Sequence, residues 1–400
     1  MITSRTHTPG ERAATVACPA CARGELEPFL DIPAVPVHCN LLWPGRGAAL
    51  AAPRGDINLA FCRDCGLVYN AAFDPALVQY GPRYENSLHF SPSFQAYARE
   101  LAARLVETHG LRGKQIIEIG SGDGDFLRLL CDLGGNTGLG FDPGYEGEDS
   151  PEGPISFVRD FYSEAHAGHS ADLVCCRHVL EHIETPREFL ASVRRAIGDR
   201  EDTAIYFEVP DFTFTVLDLG IWDIIYEHCS YFTPASLARL FEAAGFAVQR
   251  VESAFGGQFL GLEATPNGVR NLRSIQGAGL AHLAGTVASF ADVYRGKVDA
   301  WSEYVRGALD EGKRLAVWGA GSKGVTFLNT VGGGDRVSCV VDINLRKQGM
   351  HVAGTGQRIV SPAALTEEQP DIVLVMNPIY RDEIALTLDE LGIAARLVLV

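Results

Sequence analysis

Gln115-Ile116-Ile117-Glu118-Ile119-Gly120-Ser121-Gly122-Asp123-Gly124-Asp125-Phe126-Leu127-Arg128-Leu129-Leu130 is the stretch on which the reading of this chain turns. An apolar strand runs into alternate glycines, and a helix with apolar residues at helical spacing follows. Glycine in such a turn lets the backbone approach a ligand closely, as the first βα turn of a doubly wound α/β sheet requires. A dinucleotide-binding sheet carries similar glycines. The acid before the first glycine separates the two readings, because Glu118 would repel a pyrophosphate and suits an ammonium group.

Working outward, the next strand ends in Gly140-Phe141-Asp142, about twenty residues on, where an acid can accept both ribose hydroxyls. The third strand region, Phe157-Val158-Arg159-Asp160-Phe161, offers the Asp160 carboxylate and Phe161 as an aromatic wall for adenine. A cationic cofactor with an amino acid tail, S-adenosylmethionine (SAM), satisfies these positions together. The expected cofactor residues are Glu118, Gly120, Gly122, Asp142, Asp160 and Phe161.

Strand-like runs such as ADLVCCR, AIYFEVP and FLGLEA alternate with helical patterns on either side, which places a doubly wound sheet over residues 81–266. Residues 1–80 are rich in Pro, Gly and Ala and read as a small domain that needs a staple. Residues 267–312 carry one or two connecting helices, and 313–400 form a second α/β unit opening at RLAVWGAGSKG.

The chain has 400 residues, 46% apolar and 21% charged, enough for two or three domains with their own cores. That excludes disorder and small disulfide scaffolds. With 34 basic and 50 acidic residues the net charge is -16, which argues against nucleic acid as a partner. A compact anion can still bind at one basic pocket. The start lacks an apolar signal-like run and no long uninterrupted apolar stretch occurs, so a cytoplasmic location without a membrane partner is expected.

Four of the ten cysteines form two knuckles, Cys18-Pro-Ala-Cys21 and Cys62-Arg-Asp-Cys65, about forty residues apart. Two such turns complete a tetrahedron of thiolates around zinc and leave no open position, so the metal is expected to be structural. His38 or Cys39 could replace one ligand. Redox-active pairs would want a helix N-terminus beside a strand, which nothing around Cys18 offers.

On the acceptor side, ADLVCC runs into Arg177-His178-Val179-Leu180-Glu181-His182-Ile183 at the carboxyl edge of the sheet. His182 is expected to face the acceptor, with His178 packed under the edge; a metal site on the two histidines is the weaker reading. Further on, Tyr226-Glu227-His228 in IIYEHCSYF makes an acid/base set, since a carboxylate can orient an imidazole. Tyr80 to Ser91 crowds aromatic and hydroxyl groups before a helix and can close over a cofactor as a lid.

The motif E-x-G-x-G-x-G with its following acid, together with DLVCCRHVLEHI, resembles the class I SAM-dependent methyltransferases. Over nearly the full chain, the arrangement resembles the three-part C-methyltransferases of nucleotide-linked deoxysugars. That resemblance implies a class I methyltransferase doubly wound sheet, flanked by a small zinc-binding domain and a second, Rossmann-like α/β domain. It implies proton removal next to a ketone by His228, with Glu227 as its partner or a substrate hydroxyl ligand. His182 and Tyr84 would polarise or position the keto oxygen.

Two positions depart from that pattern: Ile225 stands where a tyrosine is usual, and Phe255-Gly256-Gly257-Gln258-Phe259 replaces a run ending in serine and a cation. They leave open O- or N-methylation of a non-sugar small molecule. The turn Gly319-Ala320-Gly321-Ser322-Lys323-Gly324 with the later Asp342 also reads as a dinucleotide fingerprint, so an NAD-binding or non-catalytic module is the alternative from another class. Lys323, Arg346, Lys347 and Arg381 are the cations expected to gather around an anionic substrate.

Overall fold

A computed structural model of the chain describes residues 17–22, 25–81, 83–147, 153–267 and 279–400. At its centre is a seven-stranded sheet. From one edge its strands are Ala247–Ala254, Phe259–Thr265, Ala204–Pro210, Leu173–Arg177, Gln115–Ile119, Thr137–Phe141 and Ile155–Val158. The last five in that order run parallel. Phe259–Thr265 turns back and pairs antiparallel with both of its neighbours, so the sheet ends in a reversed hairpin.

The inner strands read as continuous apolar runs because both of their faces are covered. Ile116 and Leu173 pack with Phe94, Ala98, Leu127 and Leu130 from the helices Pro92–Thr108 and Asp125–Gly134. Their sequence neighbours Ile117 and Val174 point the other way, onto Leu190, Val193, Leu237 and Phe241 of the helices Pro186–Ile197 and Pro234–Ala243. The helix starts carry their own signals. Ser91 accepts the Phe94 N–H ahead of Pro92, and Thr233 with Ser236 forms a capping box ahead of Pro234.

The N-terminal sheet has the antiparallel order Leu26–Pro36, Arg54–Cys62, Val68–Asn70 and Ser230–Tyr231. Its fourth strand therefore comes from the loop between central-sheet elements, and the Asn70 N–H bonds the Cys229 carbonyl at 2.9 Å. The C-terminal sheet is wholly parallel, in the order Ile359–Val360, Cys339–Val341, Leu315–Trp318, Ile372–Val375 and Arg396–Leu399.

Among the described residues of the expected connector 267–312 there is one helix, Leu280–Asp310. Its buried face carries Leu283, Val287, Phe290 and Tyr294, then Val305 and Ala308. These belong to one apolar cluster with Ile57 and Leu59 of the N-terminal sheet, Trp222 and Ile225 of the central loop, and Val317 and Leu374 of the C-terminal sheet.

Candidate active site

The four cysteines of the knuckles meet. Cys18 Sγ lies 3.6 Å from Cys65 Sγ, and Cys21 Sγ lies 3.7 Å from Cys62 Sγ, with all four within 4.8 Å of one another. A tetrahedral zinc with Zn–S bonds of about 2.3 Å requires sulfurs about 3.8 Å apart, so the spacing fits that ion. Without a cation, contact with Cys65 draws the Cys18 thiol down to about 5, while burial pushes Cys62 up to about 11. His38 and Cys39 lie elsewhere, against Glu227.

At the glycine turn, Gly120, Gly122 and Gly124 all adopt left-handed φ, at 71°, 52° and 82°. Only glycine holds such a series cheaply. Glu118 is 3% exposed and its Oε2 has no partner. Burial pushes its carboxyl up to about 8 against the pull of Arg177. An orphaned acid beside an open turn fits a ligand ammonium. Asp142 accepts the Gly122 N–H at 2.9 Å and the Gly144 N–H at 2.7 Å, and a carboxylate retains further lone pairs for hydroxyls.

Beside the turn is a cavity of about 410 Å³, lined among others by Asp123, Asp125, Arg128, Tyr145, His89 and Arg346. His89 comes from the segment expected to act as a lid. Asp160 and Phe161 are placed less favourably than expected. Neither lines this cavity, the Phe161 ring is 66% exposed, and Asp160 accepts the Phe161 N–H. The aromatic pair beside the turn is Tyr145 stacked on Phe157, with centroids 3.9 Å apart.

The acceptor-side residues converge between the Leu180–His182 turn, the loop before Ser230 and the N-terminal unit. The rings of His182 and His228 are 4.9 Å apart. His182 Nδ1 lies 3.0 Å from the Glu227 carbonyl and 2.8 Å from the Tyr80 hydroxyl. A carbonyl only accepts, so Nδ1 carries a proton. Tyr80 packs edge-on against Tyr84, with centroids 5.1 Å apart. The Tyr84 hydroxyl bonds Glu227 and Asn40, and burial holds it well above its ordinary range.

Glu227 does not orient His228. Fully buried, its carboxylate accepts the Cys39 N–H at 2.9 Å and lies 3.2 Å from His38 Nδ1. His38 Nε2 accepts the Gln79 N–H at 3.1 Å, which leaves the proton on Nδ1 for Glu227. Burial alone would raise this acid. The hydrogen bonds from His38 and Cys39, with the His182 charge, hold it below the usual carboxylate range. Burial, reinforced by His182, draws His228 down to about 4, which leaves the ring neutral at neutral pH.

Tyr80 and Glu181, not expected as site residues, enter from the segments Tyr80–Ser91 and Arg177–Ile183, and His38, expected only as a substitute zinc ligand, joins through Glu227. Glu181, His182 and His228 each bring a ligand atom within 4.8 Å of the others, a set that could hold a cation. His178 has φ 55° and packs at the sheet edge, 3.0 Å from Glu208 and 3.7 Å from Glu181. Beneath it, Arg177 donates to Glu208 at 2.8 and 3.0 Å and lies 4.2 Å above the Phe126 ring.

The C-terminal cations do not form an open anion pocket. Arg346 pairs with Glu85 at 2.9 Å and Asp123 at 2.6 Å, and Lys323 with Asp223 at 2.8 Å. The buried Lys347 donates to Asn40 Oδ1 at 3.1 Å and the Ala320 carbonyl at 3.3 Å. Arg381 pairs with its neighbour Asp382. Both departures from the family pattern have structural roles. Ile225 is buried in the shared apolar cluster, and Gln258 joins Asn377 and Lys323 across the junction with the C-terminal unit.

Among known proteins, a family model described as a methyltransferase domain matches residues 93–251, and one described as a C-methyltransferase C-terminal domain matches 267–395. The chain is 28% identical to the C-methyltransferase NovU of Streptomyces niveus over 388 residues, 92% of this chain and 90% of that one. A solved magnesium protoporphyrin IX methyltransferase from Synechocystis, with bound SAH, aligns with TM-score 0.34 and 19% identity over 44% of this chain and 84% of that one. Human N-acetylserotonin methyltransferase aligns with TM-score 0.33 and 16% identity over 44% and 55%. No helix among the described residues is long and apolar enough to cross a membrane.

Proposed function

Since the chain is a SAM-dependent methyltransferase carrying a C-methyltransferase C-terminal domain, we propose that it methylates a carbon next to a ketone, on a nucleotide-linked deoxysugar or a related small anionic metabolite. The observation that carries this reading is the buried His228 imidazole, its ring centroid 4.9 Å from that of His182 and beside Tyr80 and Tyr84. A carbon acid needs both a base and a stabiliser for the oxygen that becomes anionic.

His228 takes the proton next to the carbonyl, and the bond's electron pair moves into an enolate. His182 protonated on both ring nitrogens, or the Tyr84 hydroxyl turned away from Glu227, donates to the enolate oxygen. When bound, SAM would supply a sulfonium methyl; the enolate carbon would take it as the carbonyl reforms, the methyl–sulfur bond breaking with its electron pair left on sulfur and SAH as the leaving product. Glu118 would hold the cofactor's ammonium and Asp142 its ribose. Zinc, held by Cys18, Cys21, Cys62 and Cys65, would secure the sheet that Ser230–Tyr231 completes.

Incubation with methyl-labelled SAM and a panel of nucleotide 4-keto-hexoses tests the substrate. Label transfer to one of them is expected; no transfer by a SAM-binding preparation overturns the sugar reading. Replacing His228→Asn should abolish transfer and leave SAM affinity within a few-fold. Metal analysis should find one zinc per chain, and chelation should lower the melting temperature, since binding free energy at a structural site is folding free energy.

A further inference from the structure

We propose that Glu181 is the positioning residue of His228: its carboxylate accepts a hydrogen bond from Nδ1–H, so that Nε2 keeps its lone pair toward the acceptor. This rests on the reading of His228 as the base. A neutral imidazole that accepts a proton at one nitrogen must carry its own proton on the other, and that N–H needs an acceptor.

His228 Nδ1 is buried and has no hydrogen-bond partner. The acid adjacent in sequence cannot serve it, because Glu227 is engaged by His38 and the Cys39 N–H. Glu181 is 2% exposed and its Oε2 is also buried and unpartnered. A ring nitrogen of His228 and a carboxylate oxygen of Glu181 lie within 4.8 Å, longer than a hydrogen bond. A small turn of the Glu181 side chain or one bridging water closes that gap, and catalytic hydrogen bonds are commonly loose before substrate binds. Two neighbouring buried residues thus each carry an orphaned atom of complementary chemistry, and such atoms cost free energy until they pair.

The far side of Glu181 is held as well. His178 Nδ1 stands 3.7 Å from its Oε1, and the His178 backbone N–H bonds the Glu208 carbonyl at 2.8 Å. The order from the sheet outward is therefore Glu208, His178, Glu181, His228, the arrangement in which a carboxylate fixes the tautomer of a base. Besides Glu181, the charged and titratable groups acting on His228 are His182, Glu227 and Asp223. Both His178 and His182 help hold Glu181 below the usual carboxylate range despite its burial, so it faces His228 as an anion.

Histidine-selective nitrogen-15 NMR of the full-length, zinc-loaded protein tests this without knowledge of the acceptor, His228→Asn identifying the resonance. The wild type should show His228 protonated on Nδ1 in its neutral form. In Glu181→Gln its pKa should fall by about one unit, since a nearby anion favours the protonated ring. Glu227→Gln should shift it less. A wild-type tautomer protonated on Nε2, or an equal or larger shift in Glu227→Gln, overturns the proposal. Should Glu181→Gln not fold, the wild-type tautomer still decides. The base reading fails separately: transfer that survives His228→Asn removes it and leaves the NMR result standing.

Discussion

Asp142 in the middle unit accepts backbone N–H groups from Gly122 and Gly144, and Asp342 in the C-terminal unit accepts them from Ala320 and Asn344, both at 2.8 Å. In each unit a strand, a glycine turn and an acid at the end of the next strand make the same frame. Two residues before the first glycine, however, the middle turn has the buried Glu118 and the C-terminal turn has the buried Val317. A cavity opens beside the first turn. Against the second, Asn40 accepts a hydrogen bond from Lys347 and donates one to Ser322, both at 3.1 Å. The glycine frame is thus a general device for exposing backbone at a sheet edge. One charge, and whatever covers the edge, decide whether it receives a cofactor or a neighbouring part of the chain.

The largest effect expected from probing this contrast is at Gly324, where an added Cβ would stand 1.9 Å from the Gly319 carbonyl oxygen. Gly324→Ala should cost about 3 kcal/mol or more in urea denaturation, the upper range for overpacking; a wild-type midpoint would break the account of that turn. Next is Glu118→Gln, expected to weaken SAM at least about 100-fold by calorimetry, or about 2.7 kcal/mol. SAH should raise the wild-type melting temperature and NAD should not.

The pH dependence follows from the same acid. Burial holds Glu118 protonated up to about 8, against an ordinary 4.5. The folded ligand-free state therefore binds more protons than the unfolded state between those values, and this group's contribution makes stability fall as pH rises through the window. SAM affinity should rise over the upper part of that window, since the ammonium requires the carboxylate. Glu118→Gln should abolish both slopes.

Smaller effects separate the two turns further. Gly122 has open space around its Cβ position but φ 52°, so Gly122→Ala should cost about 1 kcal/mol of stability. Smallest in its effect on the cofactor turn is Asn40→Ala, with SAH affinity unchanged and a stability cost of about 1–3 kcal/mol, since it leaves the buried Lys347 ammonium short of an acceptor. A large loss of SAH binding there would join the two turns functionally.

Much of the central sheet was legible because its signals are local. Apolar runs, cap residues and glycines at fixed offsets each act within a few residues of chain. The cysteine knuckles were legible for the same reason. The partners of the acid/base set were not. Adjacency suggested that Glu227 serves His228, yet the chain turns it onto His38, 189 residues away in sequence. The acid left beside His228 belongs to a turn after another strand. Likewise Lys323 and Arg346 read as free cations, because nothing local reveals that Asp223, Glu85 and Asp123 fold against them.

The borrowed strand Ser230–Tyr231 also bears on how the protein is made. Residues near the N-terminus leave the ribosome first, but their sheet lacks its last member until Tyr231 has emerged, and the pairing of Val68 with Tyr231 closes a very long loop. Such distant pairings slow folding and prolong the exposure of unpaired strand edges. During synthesis, the Val68–Asn70 edge is therefore the place where a chaperone or a second nascent chain would compete with the loop that carries His228.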